Sequence, residues 1–165
     1  MKNFWIPFIF FALSFYSLGA GIMDSFAIYH SWLYVGEDEF AALHQATGKR
    51  IVLLLVILML ILTVFCVLMF WFRPAPVSKS LVWFAFAGLI MGWISSAFIQ
   101  IPIQVQLSMG KDDALLHKLI VSDWIRFFAW IIYITAVINM ALRIRQAYVY
   151  KYQTGMYRNK AGLVA

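Results

Sequence analysis

Cysteine occurs once, at Cys66, inside an apolar run, so neither an intramolecular disulfide nor a cysteine-based metal cluster can form. Charge is scarce as well. Only 12% of the 165 residues are charged and 64% are hydrophobic, whereas an ordinary soluble domain is about 45–50% apolar. That excess excludes a large soluble core and points to an integral membrane protein. No Walker-type or dinucleotide-binding glycine pattern is present. No lysine interrupts a long apolar run, which excludes a retinal-type Schiff base. Internal repeats, low-complexity segments and linkers are absent too, so a single domain over 1–165 is expected. A secondary transporter is normally larger and built on inverted repeats.

Four long apolar runs remain: Phe4 to Met23, Ile51 to Phe72, Leu81 to Val105, and Leu119 to Leu142. Each approaches the ~20 residues that a helix needs to cross ~30 Å of hydrocarbon. Period-2 alternation is missing, so membrane strands are not expected. Lys2, the first run and "SLGAG" also fit the outline of a signal peptide; the reading taken is a retained first helix.

Acidic residues are confined to two places. Asp24, Glu37, Asp38 and Glu39 follow the first run; Asp112, Asp113 and Asp123 lie in or beside the third loop. The second loop, "RPAPVSKS", carries only Arg73 and Lys79. The tail 143–165 adds Arg143, Arg145, Lys151, Arg158 and Lys160 without an acid. The positive-inside rule then places both termini in the cytoplasm, with loops one and three outward. The net charge of +6 gathers near the ends of apolar runs and in the tail. It suits anionic lipid headgroups and not nucleic acid. Trp5, Trp71 and Trp83 are expected as anchors at the inner interface, and Trp32, Tyr34 and Trp124 at the outer one. The expected fold is therefore an all-α, integral membrane four-helix bundle, N-in and C-in, with outward helical extensions of helices two and four. A bacterial inner (plasma) membrane is the expected location.

On this topology the polar groups converge on the outer end. His30 follows helix one, His44 precedes helix two, and His117 precedes helix four. In "EDEFAALHQATGKR", three carboxylates open a helix where they favour the positive end of its dipole. Phe40, His44 and Thr47 share a face by i, i+3, i+4 spacing. His44 is then either a hydrogen-bonded residue of an amphipathic cap or a ligand or catalytic group. In "KDDALLHKLIVSDWIR", Asp112 or Asp113 caps a helix. Asp113 lies at i, i+4 from His117, close enough to fix its tautomer. Asp123 pairs with Arg126 at i, i+3, and Arg126 reaches Trp130 at i+4. Arg126 is either a snorkelling anchor or an inward-facing site residue.

Helix three carries Gly88, Gly92, Ser96, Gln100 and Gln104 at every fourth position. Small residues at this spacing admit a close helix neighbour. Pro102 removes a backbone donor and frees a carbonyl near Phe98, a break tolerated where protein or water satisfies the freed group. Gln100 and Gln104 are read as lining an interhelical cavity open to the outer side. Interhelical hydrogen bonding is the alternative.

The segments "YHSWLYVGEDEFAALHQATGKRI", "IQIPIQVQL" and "LIVSDWIRFFAW" together resemble the anthrone-oxygenase-like family of small bacterial and fungal membrane proteins. The resemblance covers roughly 19–142. It implies a four-helix membrane bundle and, for some fungal members, oxidation of a polycyclic phenolic substrate. On it, the positions to test are His30, His44, Gln100, Gln104, Trp124 and Arg126.

Three readings of function follow. The first is an oxidoreductase acting on a lipophilic phenolic or quinone-like substrate. In it His44, His117 and Arg126 are the candidate catalytic groups, and His30, Gln100, Gln104 and Trp124 bind substrate. The second is a zinc, copper, iron or haem protein, with His30, His44, His117 and Glu39 as the available ligands; no HxH, HxxxH or HExxH spacing supports it, and no cofactor is named by the sequence. The third is a noncatalytic accessory subunit or a lipid-binding or self-assembling module, with membrane lipids, further copies or a partner subunit as neighbours.

Overall fold

The computed structural model describes residues 4–161, with side chains to Thr154. Lys2 and the side chains of Arg158 and Lys160 lie outside the described residues. Four helices carry the fold, with no strand among the described residues: α1 (Trp5–Tyr34), α2 (Glu37–Phe72), α3 (Lys79–Leu107) and α4 (Asp113–Ala161). Each is long and apolar enough to cross a membrane. Val52, Leu53, Leu54, Phe84, Phe98, Val121 and Phe128 are all exposed on the bundle surface. In water such a surface would aggregate; in a bilayer it is the contact that acyl chains require.

Short connections join the helices, and their partners fix an up-down arrangement. Tyr16 of α1 donates to the Leu54 carbonyl of α2 at 2.9 Å. Gly88 of α3 lies against Tyr133 of α4, and Gln100 of α3 against Ser122 of α4. Both ends of the described chain therefore lie at the same end of the bundle. Helix starts follow local chemistry. The Asp112 side chain accepts the Leu115 amide at 3.0 Å and caps α4. Glu37, Asp38 and Glu39 crowd the first turn of α2, at the positive end of its dipole. Arg73 closes the other end of α2, donating to the Phe70 and Val77 carbonyls.

The packing has three layers. Near the termini, Phe10, Leu62, Cys66, Met69, Leu89, Tyr133 and Met140 form one apolar core. At the other end, Tyr29, Trp32, Phe40, Ile103, Leu107, Leu116 and Leu119 form a second. Between them lies a polar layer with buried Asp24, Ser95, Gln100 and Asp123. Trp32 is a correction to the interfacial assignment. It is 1% exposed and packs on Tyr29, Phe40 and His44, while Trp5, Trp71, Trp83, Tyr34 and Trp124 are exposed.

Three helices depart from α geometry, each by one π turn: Asp24–Ile28 in α1, Val52–Val56 in α2 and Ser96–Gln100 in α3. The third directly precedes Pro102, whose missing N–H already breaks the ladder there. π turns are rare and gather at functional sites.

Candidate functional site

The polar layer is organised by Arg126. Its Nε donates to the Asp123 carboxylate one turn back, and its Nη2 donates to Asp24 Oδ2 at 3.3 Å and to the Tyr29 hydroxyl at 3.2 Å. The guanidinium also lies over the Tyr29 ring, 5.6 Å from its centroid. Asp24 and Asp123 are 2% and 5% exposed. Arg126 is thus an inward-facing residue held by two carboxylates and a phenol, and it stacks on Tyr29, not on Trp130 as its own helix spacing predicts.

The π turn in α1 makes this arrangement possible. On a regular helix, Asp24 and Tyr29 would point about 140° apart. With the Tyr29 amide bonded to the Asp24 carbonyl, the extra residue brings both side chains to Arg126. The Ser25 carbonyl, which Tyr29 would serve on an α-helix, instead accepts from His30 Nδ1 at 3.1 Å. A carbonyl only accepts, so Nδ1 carries the proton and Nε2 is the nitrogen left for another partner.

All three π turns meet beside Arg126. A small cavity of about 20 Å³, room for one water, is lined by Ser25, Leu55, Ser96 and Arg126, with Gly21, Gly92 and Trp130. Ser25 also borders two larger spaces between α1 and α4. One, about 70 Å³, is lined by Phe26, His30, Asp123, Trp124 and Phe127. The other, about 200 Å³, is an apolar groove along Gly21, Ile22, Phe26, Phe127, Trp130 and Ile134. The shared residues make one continuous site. It is a groove between α1 and α4 with aromatic walls, bordered at one end by Asp123 and His30, with Arg126 lining only the small cavity beside it.

Of the seven candidate catalytic and substrate-binding residues, His30, Trp124 and Arg126 border this site. The others lie elsewhere. Gln100 and Gln104 border none of these three spaces. The Gln100 carbonyl accepts from Ser95 at 3.0 Å and its amide donates to the Ser122 carbonyl at 3.3 Å. Gln104 accepts from His44 Nε2 at 2.7 Å. The amides therefore stitch helices together, the alternative that the sequence left open for them. His44 is buried between Trp32 and Phe40, with its Nδ1 unpartnered among the described residues. His117 and Glu39 are exposed. Asp113 pairs with Lys111 at 3.5 Å rather than with His117. No group of three His, Cys, Asp or Glu side chains able to hold a metal exists among the described residues, so His30, His44, His117 and Glu39 do not assemble into a centre.

Asp24 and Tyr29 are partners of Arg126 in the candidate site that the sequence reading left out. The available signal was Asp24 itself, a carboxylate directly abutting an apolar run in a chain with one arginine inside a span.

The His44–Gln104 bond ties α2 to α3. Gln104→Leu is expected to leave the Nε2–H of His44 without a buried acceptor and to cost about 1–3 kcal/mol. A thermal-unfolding series in detergent, with Gln106→Leu as the exposed control, checks this. Equal effects for the two variants would show that the bond carries no stability.

No protein-family model, curated protein or solved structure matches this chain.

Proposed function

We propose that the chain is an integral membrane protein that takes a lipophilic phenolic or quinone-like molecule into the α1–α4 groove, and that it is an oxidoreductase acting on such a compound. The reading rests on one observation: an apolar, ring-lined groove on the outer face of the bundle adjoins a smaller space bordered by Asp123 and His30, and Asp123 is bonded to Arg126 behind it. A flat aromatic body suits Phe26, Phe127 and Trp130. A hydroxyl suits Asp123 as acceptor, and a carbonyl suits a donor from His30 or Arg126. In this reading His30 Nε2 is the group that takes or gives a proton, and Arg126 stabilises negative charge on the ligand oxygen. His44 and His117 lie off the groove and have no part in it. The resemblance to the anthrone-oxygenase-like family points to the same substrate class. The basic residues of the second loop and tail support a cytoplasmic location for both termini, in a bacterial cell.

Trp130 and Trp124 border the site, so ligand binding is readable by their fluorescence. A short-chain quinone is expected to quench the purified protein saturably. Gly21→Leu is expected to weaken binding at least tenfold, because a side chain there grows into Trp130, whose Nε1 already lies 3.4 Å from a Cβ built at Gly21. Non-saturating quenching, or quenching indifferent to Gly21→Leu in a normally folded variant, would remove the groove from the function. The noncatalytic reading is supported by the modest size of the polar end and by the spending of Gln100, Gln104 and His44 on interhelical contacts. It predicts saturable binding with no turnover of any phenol or quinone.

A further inference from the structure

At the end of the bundle that holds the termini lies an open cleft of about 810 Å³, between α1, the close of α2 and α4. That volume falls in the range of small-molecule sites, about 300–1,000 Å³. Its walls are apolar: Phe4, Phe8, Phe11, Phe72 and Ile144. Two arginines, Arg73 and Arg145, and Tyr148 also border it. Arg73 is immobilised, since its Nε and Nη1 serve the Val77 and Phe70 carbonyls. Arg145 is exposed and makes no ion pair among the described residues. No acid lies in the second loop or anywhere after Asp123. The cavity thus combines a greasy interior with uncompensated positive charge at its border, and nothing in the Arg126 site uses it.

We propose that this cavity is a specific site for one anionic phospholipid, with an acyl chain against Phe8, Phe11 and Ile144 and the phosphate held by Arg73 and Arg145. Arg145 suits this role because its planar fork can meet phosphate oxygens in pairs, and Arg73, held by the Val77 and Phe70 carbonyls, adds a fixed positive charge beside it. Basic pockets between transmembrane helices bind acidic headgroups by this chemistry. The site is separate from the α1–α4 groove, which lies beyond the terminal apolar core, so its occupancy is independent of the proposed substrate.

The test uses the full chain, purified in detergent and titrated with phosphatidylglycerol, phosphatidylcholine or inorganic phosphate, read by native mass spectrometry and thermal shift. Phosphatidylglycerol is expected to bind with one-to-one stoichiometry and to raise the unfolding midpoint. Arg145→Gln is expected to weaken it about five- to tenfold. Ile144→Trp, which obstructs the apolar wall where the acyl chain would lie and leaves both arginines, is expected to weaken it comparably. Arg143→Gln removes the same charge from α4 at a position that does not border the cavity and is expected to leave affinity unchanged. Equal binding of phosphatidylcholine overturns the proposal, as does equal protection by inorganic phosphate alone. Equal losses for Arg143→Gln and Arg145→Gln reduce the effect to diffuse attraction and overturn it as well.

Discussion

Arg126→Leu is expected to destabilise the bundle by about 3–5 kcal/mol, the largest effect of any single side-chain truncation in the polar layer. The cause is not the loss of attraction as such. Removing the guanidinium leaves Asp24 and Asp123, only 2% and 5% exposed, with no other cation paired to either among the described residues. An isolated carboxylate there is far more costly than the pair it came from. Arg126→Lys should fall between the two. It restores charge but not the fork that reaches Asp24, Asp123 and Tyr29 together. The decisive comparison is the triple variant Asp24→Asn, Asp123→Asn, Arg126→Leu. With the orphaned charges gone, it should recover most of the loss, because replacing a whole buried ionic cluster is often neutral. The measurement is the unfolding midpoint in detergent for all three variants. A single Arg126→Leu variant that loses less than about 1 kcal/mol would mean that the cluster is hydrated, not buried beside the groove.

Much of this was legible in the sequence where the signal is local. Hydropathy alone marks the four helices, because a crossing helix must be apolar over its full length. Pro102 announces the break in α3 because a missing N–H acts within one turn. The Asp123–Arg126 pair reads directly from i, i+3 spacing. The rest depends on facts that spacing does not hold. Asp24 meets Arg126 across 102 positions of chain, and it does so only because a π turn rotates it onto the face of Tyr29. Nothing in "DSFAI" marks that turn; the energetic reason for it, the match to Arg126, lies on another helix. Trp32 misled for a related reason. Tryptophan just past an apolar run usually sits at the membrane interface, but here α1 continues to Tyr34 and buries it. The glutamines were ambiguous in principle. An amide in a bundle can face a cavity or a neighbouring helix, and only the partner, here Ser122 or His44, decides.

Gly88 and Gly92 sit one turn apart on the same stripe of α3, yet opposite outcomes are expected for the same substitution. A Cβ at Gly88 would lie 2.8 Å from the Tyr133 amide nitrogen and 2.9 Å from the Ala129 carbonyl oxygen. Both are backbone atoms of α4 and cannot swing aside as a side chain would. Gly88→Ala must therefore push α3 from α4, strain the contact beside Tyr133 and loosen the core around Leu89 and Val137. The expected cost is about 1–3 kcal/mol after the gain in helix propensity, and Gly88→Leu should prevent assembly of the pair. Gly92 has no heavy atom within 4 Å of the same position. It borders the small cavity beside Arg126, so a methyl group enters empty space. Gly92→Ala should be neutral or stabilising by up to about 1 kcal/mol, since alanine loses less backbone entropy than glycine on entering a helix. Unfolding midpoints for the two alanine variants, measured side by side, separate a true helix–helix contact from a generic small-residue preference. If both lose stability equally, the stripe is a uniform packing surface, and the cavity between the π turns is not there to accept the added methyl.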